Sequence, residues 1–340
     1  MKRYNVGIIG YGAAAASHIA AINATSLAHV TSVCSSRKLE PATLASRHGC
    51  HLNCFQDIAD FLSQPELHAV SICSLPQLHA CHAVAAAQAG KHLILEQPIA
   101  LNHEDCQAVR DAVTASNLKT CVGFRYRFSN QLRAIKAFLD RGLLGRIHYG
   151  EVDYYRGLGP WFRQYQWLQK KESGGTSLLA AGCHALDALL FFMGPDVQSA
   201  SCYTTHSLNR DFARFEYPTS SVTILKFRDG RVGKVGSVLD AQQPFYFRVH
   251  LIGSEGTILD NKFYSTQLGA LDKAQWSEFA VKLAEEDAPE SSYQRQFETF
   301  FDALSRGEDM PLTSLKDALL THEIVFAAER SAQRHEHGAK

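Results

Sequence analysis

The chain carries no surplus of charge of either sign: Lys and Arg number 34 and Asp and Glu number 34 among its 340 residues. A nucleic-acid or acidic-membrane partner needs a basic field, and this balance leaves no such footprint, so a small, locally recognised partner is expected. Long apolar runs are also missing, since no uninterrupted stretch approaches the ~20 residues of a membrane span. Lys2 and Arg3 precede only a short apolar run that enters a glycine turn, which reads as a first strand and not a secretory signal. A compact cysteine framework is absent: the nine cysteines are an odd number scattered through strand-like and helix-like segments, pointing to reduced thiols and a cytoplasmic protein. Cys50-His51-Leu52-Asn53-Cys54 and His79-Ala80-Cys81-His82 hold ligand-like residues but lack a paired second half at zinc-finger spacing, so no metal is expected. Internal repeats and low-complexity linkers are lacking too.

With 46% hydrophobic residues the chain can bury a sizeable core, and its length suggests two domains at roughly 150 residues each. The apolar run Tyr4 to Ile9 leads into Gly10-Tyr11-Gly12-Ala13-Ala14-Ala15 and then an alanine-rich helix. In this G-x-G-x-x-A pattern Gly10 permits the sharp turn, Gly12 admits a pyrophosphate to the backbone, and Ala15 lets helix and strand pack closely. Strand-like runs at 5–10, 31–35, 69–74, 92–96 and 119–124 alternate with helix-like segments, which implies a doubly wound parallel sheet and a Rossmann domain over 1–123. Beyond it, over 124–340, a helix at 130–140, a strand at 146–155 and a helix at 176–193 precede repeated alternating strands. The closing segments at 291–305 and 313–333 are amphipathic, and the tail from 335 is expected to fray. The repeated strands alternate apolar with polar residues, as an antiparallel sheet with one covered face does.

The second strand ends in Ser35-Ser36-Arg37-Lys38, where an acidic residue would bind the ribose 2′-hydroxyl of NAD. Hydroxyls and a guanidinium suit a 2′-phosphate instead. NADP is therefore expected in preference to NAD, with Gly10, Tyr11, Gly12, Ala13, Ala14, Ser35, Ser36 and Arg37 as its ligands.

The chain resembles the Gfo/Idh/MocA family of sugar- and polyol-acting NAD(P)-dependent oxidoreductases. The resemblance rests on the glycine turn, Ser74-Leu75-Pro76-Gln77-Leu78-His79, Gly90 through Pro98, Gly123-Phe124-Arg125-Tyr126-Arg127-Phe128, and Gly174 through Asp187. It implies a C-terminal α/β domain with a large, open, mostly antiparallel sheet, through which homodimers or homotetramers form, and it implies that Ser74, Pro76, His79, Glu96 and Gln97 lie at the cofactor. Two positions depart from the family pattern. Its Glu-Lys-Pro lysine is Gln97 here, and an aspartate often found four residues before the helix histidine is Ala180. Glutamine can donate a hydrogen bond to a carbonyl but cannot carry a proton.

His184 is then the candidate general acid/base, with Asp187 one helical turn on to fix its tautomer. Gln97 is expected to polarise the reacting oxygen. Arg125, Tyr126, Trp167 and Lys170, with Arg127, Trp161, Tyr165 and Lys171 nearby, offer aromatic faces and cationic donors suited to a polyhydroxylated ring. The expected function is hydride transfer between nicotinamide and a carbinol or carbonyl carbon of a sugar, sugar derivative or cyclitol. Two alternatives stay open: a redox-inactive NAD(P)-binding sensor, motivated by Gln97 and Ala180, and a glycosidase that keeps its nicotinamide bound.

Overall fold

The computed structural model describes residues 3–157, 166–269, 271–272, 274–283 and 289–338. Two compact units divide the chain, Met1–Arg125 with Ala288–Leu319, and Tyr126–Asp287 with Leu320–Lys340.

In the first unit six strands, β1 (Tyr4–Ile9), β2 (Ala28–Cys34), β3 (Asn53–Phe55), β4 (Ala69–Ile72), β5 (His92–Leu95) and β6 (Thr120–Val122), form a parallel sheet in the order β3-β2-β1-β4-β5-β6. Val6, Ile8, Ile9, Val70 and Ile72 are fully buried, as strands covered by helices on both faces must be. Strand order reverses between β1 and β4, and such a sheet offers its ligand crevice at the carboxyl ends of those two strands. The connecting helices are α1 (Ala13–Asn23), α2 (Pro41–His48), α3 (Ile58–Leu62), α4 (His79–Gln88) and α5 (His103–Ala115).

A helix near the C-terminus, Pro289–Ser305, packs with this first unit, although 124–340 is the span expected for the second domain. Its Phe297, Phe300 and Phe301 are fully buried, with Phe301 stacked 5.7 Å from Tyr4. Its Gln296 amide donates to the carbonyl of Val122 at 2.7 Å, which satisfies an acceptor at the edge strand.

The second unit holds an eight-stranded sheet. Its strands are β7 (Ile147–Gly157), β8 (Val197–Thr205), β9 (Ser220–Phe227), β10 (Val232–Ala241), β11 (Tyr246–Gly253), β12 (Gly256–Leu259), β13 (Lys262–Ser265) and β14 (Ser277–Glu278), in the order β14-β13-β12-β11-β7-β10-β9-β8. All pairings are antiparallel except β7 with β10. Along β9, residues 221, 223, 225 and 227 are buried and 222, 224 and 226 exposed, so one face is covered and the other open. The covering helix, Cys183–Met193, lies so close that a Cβ on Gly150 of β7 would sit 2.4 Å from Met193 Sδ. The run Lys171–Met193 is apolar and long enough to cross a membrane, but 78% of its most apolar window is buried inside the protein, as in a core helix.

The helix expected over 176–193 is not uniform: Leu178–Gly182 winds as one wider π turn before the regular α-helix begins at Cys183. Positions 180 and 184 are therefore not related by a simple α-helical step. Strands β3, β13 and β14 are additions to the expected set. The tail is helical to Gly338.

Candidate active site

The glycine turn leaves β1 at the point where strand order reverses. Gly10 has φ +88°, and a Cβ there would lie 2.6 Å from both N and Cα of Ser74, so only glycine fits. Gly12 precedes α1 in extended conformation, and nothing lies within 4 Å of where its Cβ would be. No side chain caps α1 and its first turn carries no acid, so its leading N–H groups face an open cradle fit for a pyrophosphate. Ala15 is fully buried against the sheet.

After β2 the chain folds back onto this turn. The Arg37 guanidinium donates to the carbonyl of Tyr11, and its own N–H donates to Ser35 Oγ at 3.2 Å. Ser35 is buried while Ser36 and Arg37 are exposed. The Tyr11 hydroxyl lies 2.8 Å from His48 Nε2.

His79 is buried, with Nδ1 2.6 Å from the carbonyl of Pro98 and Nε2 3.0 Å from that of Ser74. Burial pushes its pKa down against the pull of these carbonyls. The ring thus bridges the turn after β4 and the carbonyl that follows the cis Gln97–Pro98 bond. Pro76 is buried, and Ser74 Oγ meets His82 Nδ1 at 2.9 Å. Glu96, expected at the cofactor, is buried, and one of its oxygens lies 2.7 Å from His18 Nε2. Gln97 remains half-buried. Arg125 is buried in this first unit, its guanidinium 5.5 Å above the Tyr293 ring.

In the second unit His184 is half-buried, with its ring edge-on to Tyr126 at 4.9 Å and stacked with Tyr154 at 6.0 Å. Tyr126 stacks in turn on Phe247 at 4.7 Å. Asp187 lies three residues beyond His184 in the same helix. Its carboxylate takes a bidentate pair from Arg127, at 2.7 and 2.8 Å, and a third bond from Thr321 at 3.0 Å. Asp187 and Arg127 are both buried, and their ion pair anchors the helix. Lys170 is exposed and paired with Glu216 Oε1 at 2.5 Å, while Trp167 is half-buried. Trp161 and Tyr165 lie outside the described residues.

Thr176, which caps the π turn by accepting from Leu179 N–H at 3.1 Å, also bonds the carboxyl of Glu329. Burial raises Glu329 to about 7, outweighing the opposing pull of Thr176, Lys171 and Arg330. A carboxyl whose folded pKa lies above its unfolded value of about 4.3 costs stability as pH rises from there through 7. The Glu329→Gln variant is therefore expected to be more stable than the parent by roughly 2 kcal/mol at pH 8, with the gap closing near pH 4. Urea midpoints at the two pH values check this.

His18, Tyr293 and Tyr154 escaped the sequence reading. Only His18 carried a signal, as a lone polar side chain on the apolar side of α1.

Comparison with known proteins places this geometry. The description "Oxidoreductase family, NAD-binding Rossmann fold" matches residues 4–124, and "GFO/IDH/MocA C-terminal domain" matches residues 132–259. The levoglucosan dehydrogenase of Pseudarthrobacter phenanthrenivorans is 28% identical over 292 residues, 77% of this chain and 74% of that protein. The myo-inositol 2-dehydrogenase of Thermotoga maritima is 23% identical, covering 82% of this chain and 81% of its own. A solved levoglucosan dehydrogenase in complex with NADH and L-sorbose superposes with TM-score 0.83 at 21% identity, over 98% of both chains.

Proposed function

Because the chain belongs to the Gfo/Idh/MocA oxidoreductase family, we propose that it transfers hydride between nicotinamide and a carbinol or carbonyl carbon of a sugar, sugar derivative or cyclitol. The open cradle over Gly12 and the uncapped start of α1 carry this reading, and the named activities of the relatives support the substrate class. The cofactor supplies the hydride donor or acceptor. His184 holds or releases the alcohol proton, and the Gln97 amide donates a hydrogen bond to the reacting oxygen. With no proton to share, Gln97 contributes orientation and polarisation alone. Tyr126, Trp167 and Lys170 serve the sugar. Absorbance of reduced nicotinamide, followed with a panel of pyranosides, cyclitols and their ketones, tests the proposal. No change with any of them would overturn it. If the parent binds NADP(H) without turnover and Gln97→Lys restores none, the sensor reading takes its place; recovery in Gln97→Lys would mark a weakened enzyme instead.

We infer a preference for NADP(H), supported by the placement of Ser35, Ser36 and Arg37 beside the glycine turn and the absence of an acid there. A charged hydrogen bond is worth about 1.5–3 kcal/mol. Arg37→Ala is accordingly expected to weaken NADPH binding by roughly 10-fold or more while leaving NADH within about twofold; fluorescence titration of both checks it. We also propose a cytoplasmic homodimer or homotetramer joined through the open face of the large sheet, where Tyr203, Val222 and Ile224 are exposed.

A further inference from the structure

A line of buried polar side chains in the first unit runs from α1 to the peptide of Gln97. His18, on α1, is fully buried; its Nδ1 lies 2.7 Å from Ser71 Oγ and 3.5 Å from Cys73 Sγ. Its Nε2 lies 2.7 Å from Glu96 Oε1, which also accepts from the phenol of Tyr293 on the helix Pro289–Ser305. The other carboxylate oxygen, Oε2, accepts the N–H of Gln97 at 3.1 Å. The rings of Tyr293 and Phe297 cover His18 at 4.6 and 4.9 Å, and Arg125 is the nearby cation, above Tyr293. A Cβ on Gly123 would come within 2.8 Å of Oε2, so the carboxylate is wedged on that side as well.

Burial opposes charge on His18, yet Cys73 and Glu96 more than offset this and raise its pKa to about 10. At neutral pH both ring nitrogens then donate, one toward Ser71 and one to Glu96. Glu96, held from two sides through Oε1, directs its second oxygen at one backbone N–H. A buried carboxylate retained with this much support invites the question of what it holds, and the answer is the residue that departs from the family pattern.

We propose that His18 and Tyr293 are positioning residues: acting through Glu96, they fix the peptide of Gln97 and so the direction of its side-chain amide. The inference rests on the reading of Gln97 as the group that polarises the substrate oxygen. Because that amide can contribute only geometry, misplacing it by an ångström removes most of what it does. The same network joins the helix that receives the phosphates to the peptide at the reacting end.

The test uses full-length His18→Gln and Tyr293→Phe, the second deleting a single oxygen. Both are expected to lower kcat by about 10- to 100-fold with NADPH dissociation constants within about twofold. In the parent, ¹⁵N shifts of the His18 ring should report imidazolium up to about pH 9, and in Glu96→Gln that signal should convert to the neutral form below pH 8. A kcat within about twofold of the parent in both variants, or a neutral His18 at pH 7, would overturn the proposal. Should the parent turn over no substrate, the functional reading alone fails. The positioning claim is then decided by the Gln97 backbone amide, whose resonance and exchange rate must move in Tyr293→Phe and would stay unmoved if the network were only packing.

Discussion

His184→Gln lowers turnover by about 10²- to 10⁴-fold, the range expected when a positioned proton carrier is removed, and leaves dinucleotide affinity unchanged. Gln97 cannot accept or release a proton, so the alcohol proton must pass through another group. His184 presents an imidazole fixed by an edge-on Tyr126 and a stacked Tyr154 and remains half-buried, so it keeps contact with solvent for exchange. Glutamine is the informative replacement because it keeps volume and a donor among those rings but has no titration near neutrality. The parent should show a pH-dependent arm in kcat that flattens in the variant. Steady-state rates from pH 5 to 9, with circular dichroism to confirm folding, measure it; a variant that keeps both rate and profile removes the assigned base.

What the sequence made legible was local. The glycine turn could be read because its requirements, a positive φ at Gly10 and no side chain at Gly12, are set by residues within a few positions of each other. Alternation of apolar strands and helices gave the parallel sheet, and period-two burial gave β9. The unread parts depend on partners far along the chain. Helical spacing sets Asp187 one turn from His184, but it carries no sign of the bidentate partner Arg127, 60 residues away. The family resemblance sets Glu96 at the cofactor, but its partners His18 and Tyr293, 78 and 197 residues distant, have no local signal. The helix bearing Tyr293 follows the large sheet in sequence, so nothing local could assign it to the first unit. The π turn before Cys183 has no signature in apolar spacing, and β3 is only three residues long.

Arg127→Met alone destabilises the second unit by about 3–5 kcal/mol, because it leaves the Asp187 carboxylate buried without its countercharge. The pair is closed to water, with side-chain exposures of 10% and 3%, and the guanidinium also lies 5.1 Å over the Phe191 ring. Both carboxylate oxygens accept from Arg127, and the Thr321 hydroxyl that also bonds Oδ1 cannot neutralise a charge. Desolvating two ions offsets much of their attraction, so the pair adds little over a well-packed apolar replacement even though breaking it is costly. Arg127→Met combined with Asp187→Leu should therefore recover most of the loss, a non-additivity that urea denaturation of the four proteins in the cycle measures directly. Activity separates the two roles open to Asp187. If it only anchors the helix that carries His184, the stable double variant keeps kcat within about tenfold of the parent; if it also tunes the imidazole, kcat stays low after stability returns and the pH profile shifts.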